Sequence, residues 1–120
     1  MWGEIVFTVN GTTITLTRGD TLLVQVGMMR DSEPYTPVEG DSVRFALKSG
    51  LNSTGKDMKE STPLILKDIP IGTMILRLDP EDTKSLSFGD YVYDIEITFP
   101  NGVVDTFIAN SKFKLTPEVH

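Results

Sequence analysis

Six carboxylates lie between residues 79 and 96, a stretch in which Lys84 is the only basic residue: Asp79, Glu81, Asp82, Asp90, Asp94 and Glu96. Such a stretch is either a solvated acidic edge or a site for a cation or a basic partner. Four of the six, Asp79, Glu81, Asp82 and Asp90, would offer Ca²⁺ the oxygen ligands it prefers if they converged at one end of the fold. Their spacing matches no EF-hand loop, and capping and turn roles account for each of them. We therefore predict no bound metal and no cofactor. If the protein does bind a metal ion, these four residues are the candidate ligands.

Nucleophilic catalysis needs an activated side chain, and the sequence offers no arrangement of the usual kind. There is no cysteine, and the single histidine, His120, is the last residue. No serine therefore has an obvious histidine base elsewhere in the chain. The glycines form neither a Walker pattern nor G-x-G-x-x-G, which are the patterns of phosphate-binding loops. We predict that the protein is not an enzyme.

Three aromatic residues, Trp2, Tyr35 and Phe88, are the least committed to a strand core. Exposed aromatic rings serve as stacking platforms in sugar-binding proteins, so a carbohydrate or cell-surface binding module is the alternative function. Trp2 and Tyr35 would then be the ligand-contacting aromatics. The competing interpretation is structural, with Tyr35 packed under its own proline-rich loop and Trp2 covering an open end of the core.

Composition limits the class of protein and of partner. The chain has 120 residues, 39 % of them hydrophobic and 23 % charged, which is typical of one folded domain over residues 1–120. The net charge of −6 argues against nucleic acid as a partner, because phosphate binding needs a cationic face. The longest apolar runs are too short to cross a bilayer, and the first four residues lack the features of a signal peptide. We expect no membrane partner and an origin in the cytoplasm.

Alternation of apolar and polar residues with period two predicts strands throughout the chain. Eight segments show it: residues 4–10, 12–17, 21–28, 42–48, 63–69, 73–79, 89–99 and 103–115. Asn-Gly pairs at residues 10–11 and 101–102 predict tight hairpin turns, and residues 31–41 are a loop by composition. Asp79 to Thr83 predicts one helical turn, and the last strand is long enough to need a bulge near Asn110-Ser111. Eight short strands between turn signals indicate an all-β sandwich of about 7–9 strands.

The segment 76–83 followed by residues 89–93 resembles the turn between strands E and F of immunoglobulin-like domains. In that turn a tyrosine stands two residues before the strand F cysteine, and its hydroxyl bonds back to the corner backbone. The resemblance implies that Tyr91, which follows the turn at Gly89, is this tyrosine and that Tyr93 takes the place of the cysteine. The sequence departs from antibody domains because it has no disulfide, and Phe45 stands where the core tryptophan would be. The resemblance implies that the fold is an immunoglobulin-like antiparallel β-sandwich.

A second resemblance covers almost the whole chain. It is carried by Arg-Gly-Asp-Thr at residues 18–21, Pro-Tyr-Thr-Pro at 34–37, Gly-Asp-Ser-Val-Arg-Phe at 40–45, Asp82-Thr83 with Leu86, Gly89 to Ile95, and a last strand with Thr106, Phe113 and Leu115. These motifs are similar to those of small immunoglobulin-like proteins encoded by phages and prophages of Gram-positive bacteria, and of the N-terminal domain of phage upper-baseplate proteins.

This second resemblance implies a non-enzymatic structural or assembly role in a phage tail or baseplate. The partners would be other tail or baseplate proteins, or further copies of the chain in a homo-oligomer. The location would be the virion, or the bacterial cytoplasm during assembly. Strand edges are templates for pairing with another chain, so the first strand, Glu4 to Val9, and the terminal strand, Val103 to Leu115, are the candidate interaction edges.

Overall fold

The computed structural model describes residues 7–10, 12–30, 33–49 and 63–117. In these ranges the chain forms strands and one helical turn, in the order β1 (Phe7–Asn10), β2 (Thr13–Thr17), β3 (Leu22–Gln25), β4 (Met28–Arg30), β5 (Glu33–Tyr35), β6 (Ser42–Ser49), β7 (Ile65–Ile69), β8 (Ile75–Leu78), α1 (Pro80–Thr83), β9 (Gly89–Thr98) and β10 (Val104–Thr116). The prediction of an all-β chain is confirmed.

One large sheet and two small ones make up the fold. The large sheet has six strands in the order β1-β2-β10-β9-β6-β7, while β3 pairs with β8 and β4 with β5. The neighbours in the large sheet are antiparallel except for β2 and β10, which run parallel, so the prediction of a purely antiparallel fold was wrong and the sheet is mixed. A parallel pair needs a long connection between its strands, and here residues 18–103 separate β2 from β10.

The core lies between the large sheet and the β3–β8 pair. Leu22, Leu76 and Leu78 of that pair belong to the same buried cluster as Phe45, Ile97 and other inward residues of the large sheet. Two layers that share one apolar core are the usual result when each sheet has one hydrophobic face. The predicted alternation is confirmed in β6, where Val43, Phe45 and Leu47 are buried.

The turns form where glycine and asparagine predicted them. Asn10 pairs with Thr13 across the first hairpin. In the second, the N–H of Gly102, whose φ is +88°, donates to the Phe99 carbonyl at 2.8 Å. Gly40 has a φ of +101°, and a Cβ on it would lie 2.9 Å from Cγ of Pro100. Glycine is therefore required at residue 40 both by its backbone conformation and by the space around it.

Two predictions about strands were wrong in part. Residues 33–35 form β5 and pair with β4, although the proline content of 31–41 predicted only a loop. Proline is tolerated in β5 because a two-stranded ribbon consists of edge strands. The bulge in the last strand is confirmed by register shifts on either side of Ile108 and by a φ of +50° at Asn110. Alternation along residues 103–115 predicts Phe107, Ala109, Phe113 and Leu115 on the core face, but Ala109, within the second shift, is exposed, so its predicted burial was wrong.

Candidate functional site

The helical turn α1 sits between β8 and β9 and is held at its start by Asp82. The Asp82 carboxylate accepts the backbone N–H of Asp79 at 2.7 Å and lies 3.1 Å from the ammonium of Lys67. Pro80 opens the turn, where its missing N–H leaves no bond unmade. Lys67 belongs to β7, so this ion pair ties the turn to the edge of the large sheet. The helical turn predicted at Asp79 to Thr83 is confirmed.

The four candidate metal ligands are all among the described residues, and their side chains differ in hydrogen-bond partners and in exposure. Asp79 accepts a hydrogen bond from Nε of Arg77 at 2.8 Å, and Asp82 has the partners given above. Glu81 and Asp90 are exposed, on α1 and β9 respectively. No group of three or more histidine, aspartate or glutamate side chains that could hold a metal ion occurs among the described residues.

The segment from α1 into β9, residues 79–91, is the place where the first resemblance predicts a tyrosine corner. The Tyr91 hydroxyl donates to the backbone carbonyl of Ser87, four residues upstream, at an oxygen–oxygen distance of 2.5 Å. Gly89 has a φ of +140°, which gives the chain the backbone freedom to enter β9. The side chain of Thr83 is fully buried beneath this turn. A hydroxyl bound to an upstream carbonyl is the contact by which a tyrosine holds such a turn closed.

Arg18 reaches the corner from the turn between β2 and β3, a contact that the sequence did not predict. Its guanidinium carbon lies 4.3 Å from the centroid of the Phe88 ring, and Nη1 donates to the Leu86 carbonyl at 3.3 Å. A guanidinium over an aromatic face is a favourable cation–π geometry. Arg18 of the Arg-Gly-Asp tripeptide is therefore bound within the fold, and Gly19, with a φ of +95°, makes the turn.

Tyr93, to which the first resemblance assigns the position of the strand F cysteine, is buried in the core. Its ring centroid is 5.4 Å from that of Phe45 and 6.4 Å from that of Phe113. Its hydroxyl donates to the backbone carbonyl of Thr12 and so joins β9 to the turn before β2. Burial disfavours the phenolate, and this raises the pKa of Tyr93 to about 12. Tyr93 is therefore a neutral side chain at any physiological pH.

Tyr35 lines a cleft of about 260 Å³ at the end of the fold where the β4–β5 hairpin faces the turn between β7 and β8. Its hydroxyl donates to the Asp41 carboxylate at 2.7 Å, and its ring meets that of Phe99 edge to face at 6.2 Å. Asp41 also accepts the N–H of Val38 at 3.0 Å, which closes the proline-rich loop over the tyrosine. Tyr35 is half-buried, and its contacts are those of the structural interpretation. Trp2, the other predicted ligand aromatic, lies outside the described residues.

Both interaction edges can be compared with the sheet order. β1 is at one end of the large sheet, and residues 4–6 of the predicted first edge lie outside the described residues. The prediction for the terminal strand was wrong in its second half, because residues 113–116 of β10 pair with β2 on one side and β9 continues on the other. β7 is the opposite end strand of the sheet, which sequence reasoning missed.

The side chains that alternate with the buried ones on β7, β6, β9 and β10 form a surface that we call the outer face. At its centre the ammonium of Lys48 lies 2.9 Å from the Asp94 carboxylate, and each side chain is 20 % exposed. The other carboxylate oxygen accepts the N–H of Asn110 at 2.7 Å, which holds the bulge of β10 against β9. Beside this pair runs a groove of about 270 Å³, lined in part by Arg44, Leu66 and Glu96.

Comparison with protein-family models, with curated proteins and with solved structures gave no match. Within the described ranges, no helix has the length and apolar character that crossing a membrane would demand.

Proposed function

We propose that the protein is a non-enzymatic structural or assembly protein of a phage or prophage tail or baseplate, built on an immunoglobulin-like sandwich and acting through protein–protein contacts. Its partners are other tail or baseplate proteins or further copies of itself. It resides in the virion, or in the bacterial cytoplasm during assembly.

The strand order supports the immunoglobulin-like part of the proposal. In such domains strands G, F and C form one sheet, C′ extends it in variable-type domains, and B pairs with E in the other. The order β10-β9-β6-β7 with a separate β3–β8 pair fits that arrangement, with α1 between the strands that correspond to E and F. The hydroxyl of Tyr91, bound to the carbonyl four residues upstream, fits the tyrosine of the E–F corner.

The observation that carries the phage part of the proposal is that residues of the resembling motifs hold the turns together. Arg18 of the Arg-Gly-Asp-Thr motif contacts Leu86 and the ring of Phe88, next to Gly89. Tyr35 of the Pro-Tyr-Thr-Pro motif binds Asp41 of the motif that opens β6. A signature made of mutually contacting residues specifies a way of folding and not merely a composition. The motifs that carry the resemblance are therefore joined to one another by contacts in this fold.

A structural role also agrees with what the surface offers. The Tyr93 hydroxyl, whose pKa burial raises to about 12, lies within an aromatic core and is bound to the Thr12 carbonyl. The outer face carries two ion pairs, Arg44–Asp68 and Lys48–Asp94, on a broad sheet. Broad surfaces of this kind recognise other proteins by shape and charge.

Antibody labelling of particles tests the role. Particles released from the source bacterium are purified, labelled with antibody against this protein and imaged by negative-stain electron microscopy. The proposal expects gold at a fixed position on the tail or baseplate, or on tail assembly intermediates in the cell extract. Label confined to material that contains no tail protein would contradict it.

The second candidate function, a carbohydrate or cell-surface binding module, rests on the cleft beside Tyr35. Among the described residues that line the cleft none is charged, and Gln25, Thr36 and Thr73 are polar, so a neutral, hydrogen-bonding ligand fits its chemistry. A glycan array probed with the natural protein and with Tyr35→Phe tests it. Binding that survives Tyr35→Phe but is lost in Tyr35→Ala would favour this candidate, because the first variant keeps the ring.

A further inference from the structure

We propose that the outer face binds a second copy of the same chain in a two-fold symmetric dimer. This inference rests on the proposed assembly role, since it names one of the partners which that role requires. The dimer is indicated by the arrangement of charge on four neighbouring strands, whose order across the sheet is β7-β6-β9-β10.

The charges of the outer face form columns that alternate in sign from strand to strand. β7 contributes one acid, β6 two bases, β9 three acids and β10 two bases: Asp68; Arg44 and Lys48; Asp90, Asp94 and Glu96; Lys112 and Lys114. Four bases balance four acids, so this face is neutral although the whole chain carries −6. The surplus negative charge lies elsewhere and does not oppose contact between two such faces at close range.

This pattern is complementary to itself under a two-fold rotation. An axis parallel to the strands and midway between β6 and β9 places β6 of one copy over β9 of the other, and β7 over β10. The bases of β6 then lie over the acidic strand β9 of the other copy, while Asp68 of β7 lies over Thr106 of β10. Because Arg44 and Glu96 are register partners, the rotation keeps them at the same height, and Arg44 of one copy faces Glu96 of the second. A two-fold interface makes this contact twice.

The local ion pairs leave the required groups available. Arg44 pairs with Asp68 at 3.5 Å, where the two side chains are 50 % and 82 % exposed, so the pairing is weak and open to exchange. Glu96 makes no ion pair within the described part of the chain, although it stands opposite Arg44 in register. Leu66, 54 % exposed on β7, adds apolar surface that a partner would cover.

Contact through the face is favoured over pairing at the strand edges. Lys67 on the end strand β7 points to the inner side and is tied to Asp82 of α1. An inward-pointing charge on an end strand and a bulged strand are both devices that block the addition of another strand. The part of β10 that extends beyond β2 carries two register shifts. Neither device obstructs contact through the outer face, because both act against the addition of a strand at an edge.

The size of the face sets the conditions of the experiment. Four strands about 4.8 Å apart, with about six residues each at about 3.3 Å per residue, cover about 400 Å² of flat sheet per copy. Such an interface is at the small end of specific protein contacts, so we expect a dissociation constant in the micromolar range or weaker. Sedimentation velocity must therefore reach protein concentrations of about 1 mM. The dimer should weaken as salt rises, because its contacts are ionic and near the solvent.

A charge exchange tests the geometry. Arg44→Glu and Glu96→Arg each place like charges together, and each should raise the dissociation constant at least about tenfold. Mixed in equal amounts, the two variants should form a heterodimer, since every 44–96 contact across its interface is again between opposite charges. The double variant should dimerise like the natural protein. Lys84→Glu, a reversal away from the outer face, is the matched control and should leave dimerisation unchanged.

The outcomes separate this inference from the proposed function. A natural protein that stays monomeric to about 1 mM, or a dimer that neither reversal weakens, overturns the outer-face dimer and leaves a role in particles standing. If dimerisation is lost in both single variants and recovered in their mixture, the result supports the dimer, whether or not the protein is found on tails. Melting temperatures of all variants, expected within a few degrees of the natural protein, exclude unfolding as the cause of any loss.

Discussion

Replacing Tyr91 by phenylalanine tests whether the corner is held by its hydroxyl. The variant keeps the ring and removes the donor of the 2.5 Å bond to the Ser87 carbonyl. Ser87 is exposed, so water can replace the lost donor and no buried acceptor is left unsatisfied. The expected loss is therefore that of an ordinary net hydrogen bond, about 1 kcal/mol.

This loss corresponds to a measurable change in melting temperature. With about 2.1 cal/mol/K of unfolding entropy per residue, the 120 residues give about 0.25 kcal/mol/K. A loss of about 1 kcal/mol then lowers the melting temperature by about 4 °C. Urea unfolding should show a lower midpoint with an unchanged slope, since the variant exposes the same surface on unfolding.

Tyr93→Phe is the internal comparison, because it makes the same chemical change two residues further along the same face of β9. The Tyr93 ring is only 3 % exposed, and its hydroxyl serves the Thr12 carbonyl from within the core. Removing the Tyr93 hydroxyl should lower the free energy of unfolding by at least as much as removing that of Tyr91, between about 1 and 3 kcal/mol. A Tyr91→Phe melting temperature within about 1 °C of the natural protein would refute the corner assignment.

Three further predictions follow from the geometry of single residues. Gly40→Ala should lower the free energy of unfolding, measured in urea, by about 2 kcal/mol, because the φ of residue 40 is +101° and the new Cβ would meet the ring of Pro100. Gly27→Ala is the control, because a Cβ at residue 27 would have no atom within 4 Å, and it should leave this free energy nearly unchanged. Asp94→Ala should lower the free energy of unfolding by about 2 kcal/mol, because it leaves the half-buried ammonium of Lys48 without its partner and removes the acceptor that holds the bulge. Arg44→Ala breaks an exposed pair and should lower it by less than about 0.5 kcal/mol. Equal losses in the two variants would contradict the difference expected from burial. The pKa of Tyr93, raised from 10.0 to about 12, means that the unfolded chain loses this proton first as pH rises, so its contribution is full below pH 10 and falls between pH 10 and 12. Urea unfolding at pH 9 and 11 should show a steeper fall for the natural protein than for Tyr93→Phe, and parallel falls would contradict it.

Local pattern accounts for most of the elements that the sequence predicted. Alternation marks β6 and β9 because each has one buried face. The Asn-Gly pairs mark the β1–β2 and β9–β10 hairpins, and in the second the positive φ falls on Gly102 and not on Asn101. The β4–β5 hairpin was missed because its residues have the composition of a loop. Its pairing from Met28 to Tyr35 depends on a register that no alternation reveals.

Long-range contacts are the part that local pattern does not contain. The parallel pairing of β2 with β10 joins the two ends of the described chain, and Arg18 meets Leu86 across 68 residues of sequence. The charge columns of the outer face also exist only once β7, β6, β9 and β10 are placed side by side. In the sequence, Glu96 belongs to an acidic stretch. In the sheet, it faces a basic column.

The central claim, that the protein is a component of phage tails or of their assembly, is tested most directly by its abundance in purified particles. Particles and assembly intermediates are separated on a density gradient, and this protein and the tail proteins are quantified by mass spectrometry in every fraction. The account predicts that the protein peaks with tail proteins and at a constant molar ratio to them. A protein that is abundant in the cell extract but absent from every fraction that contains tail proteins would contradict the account.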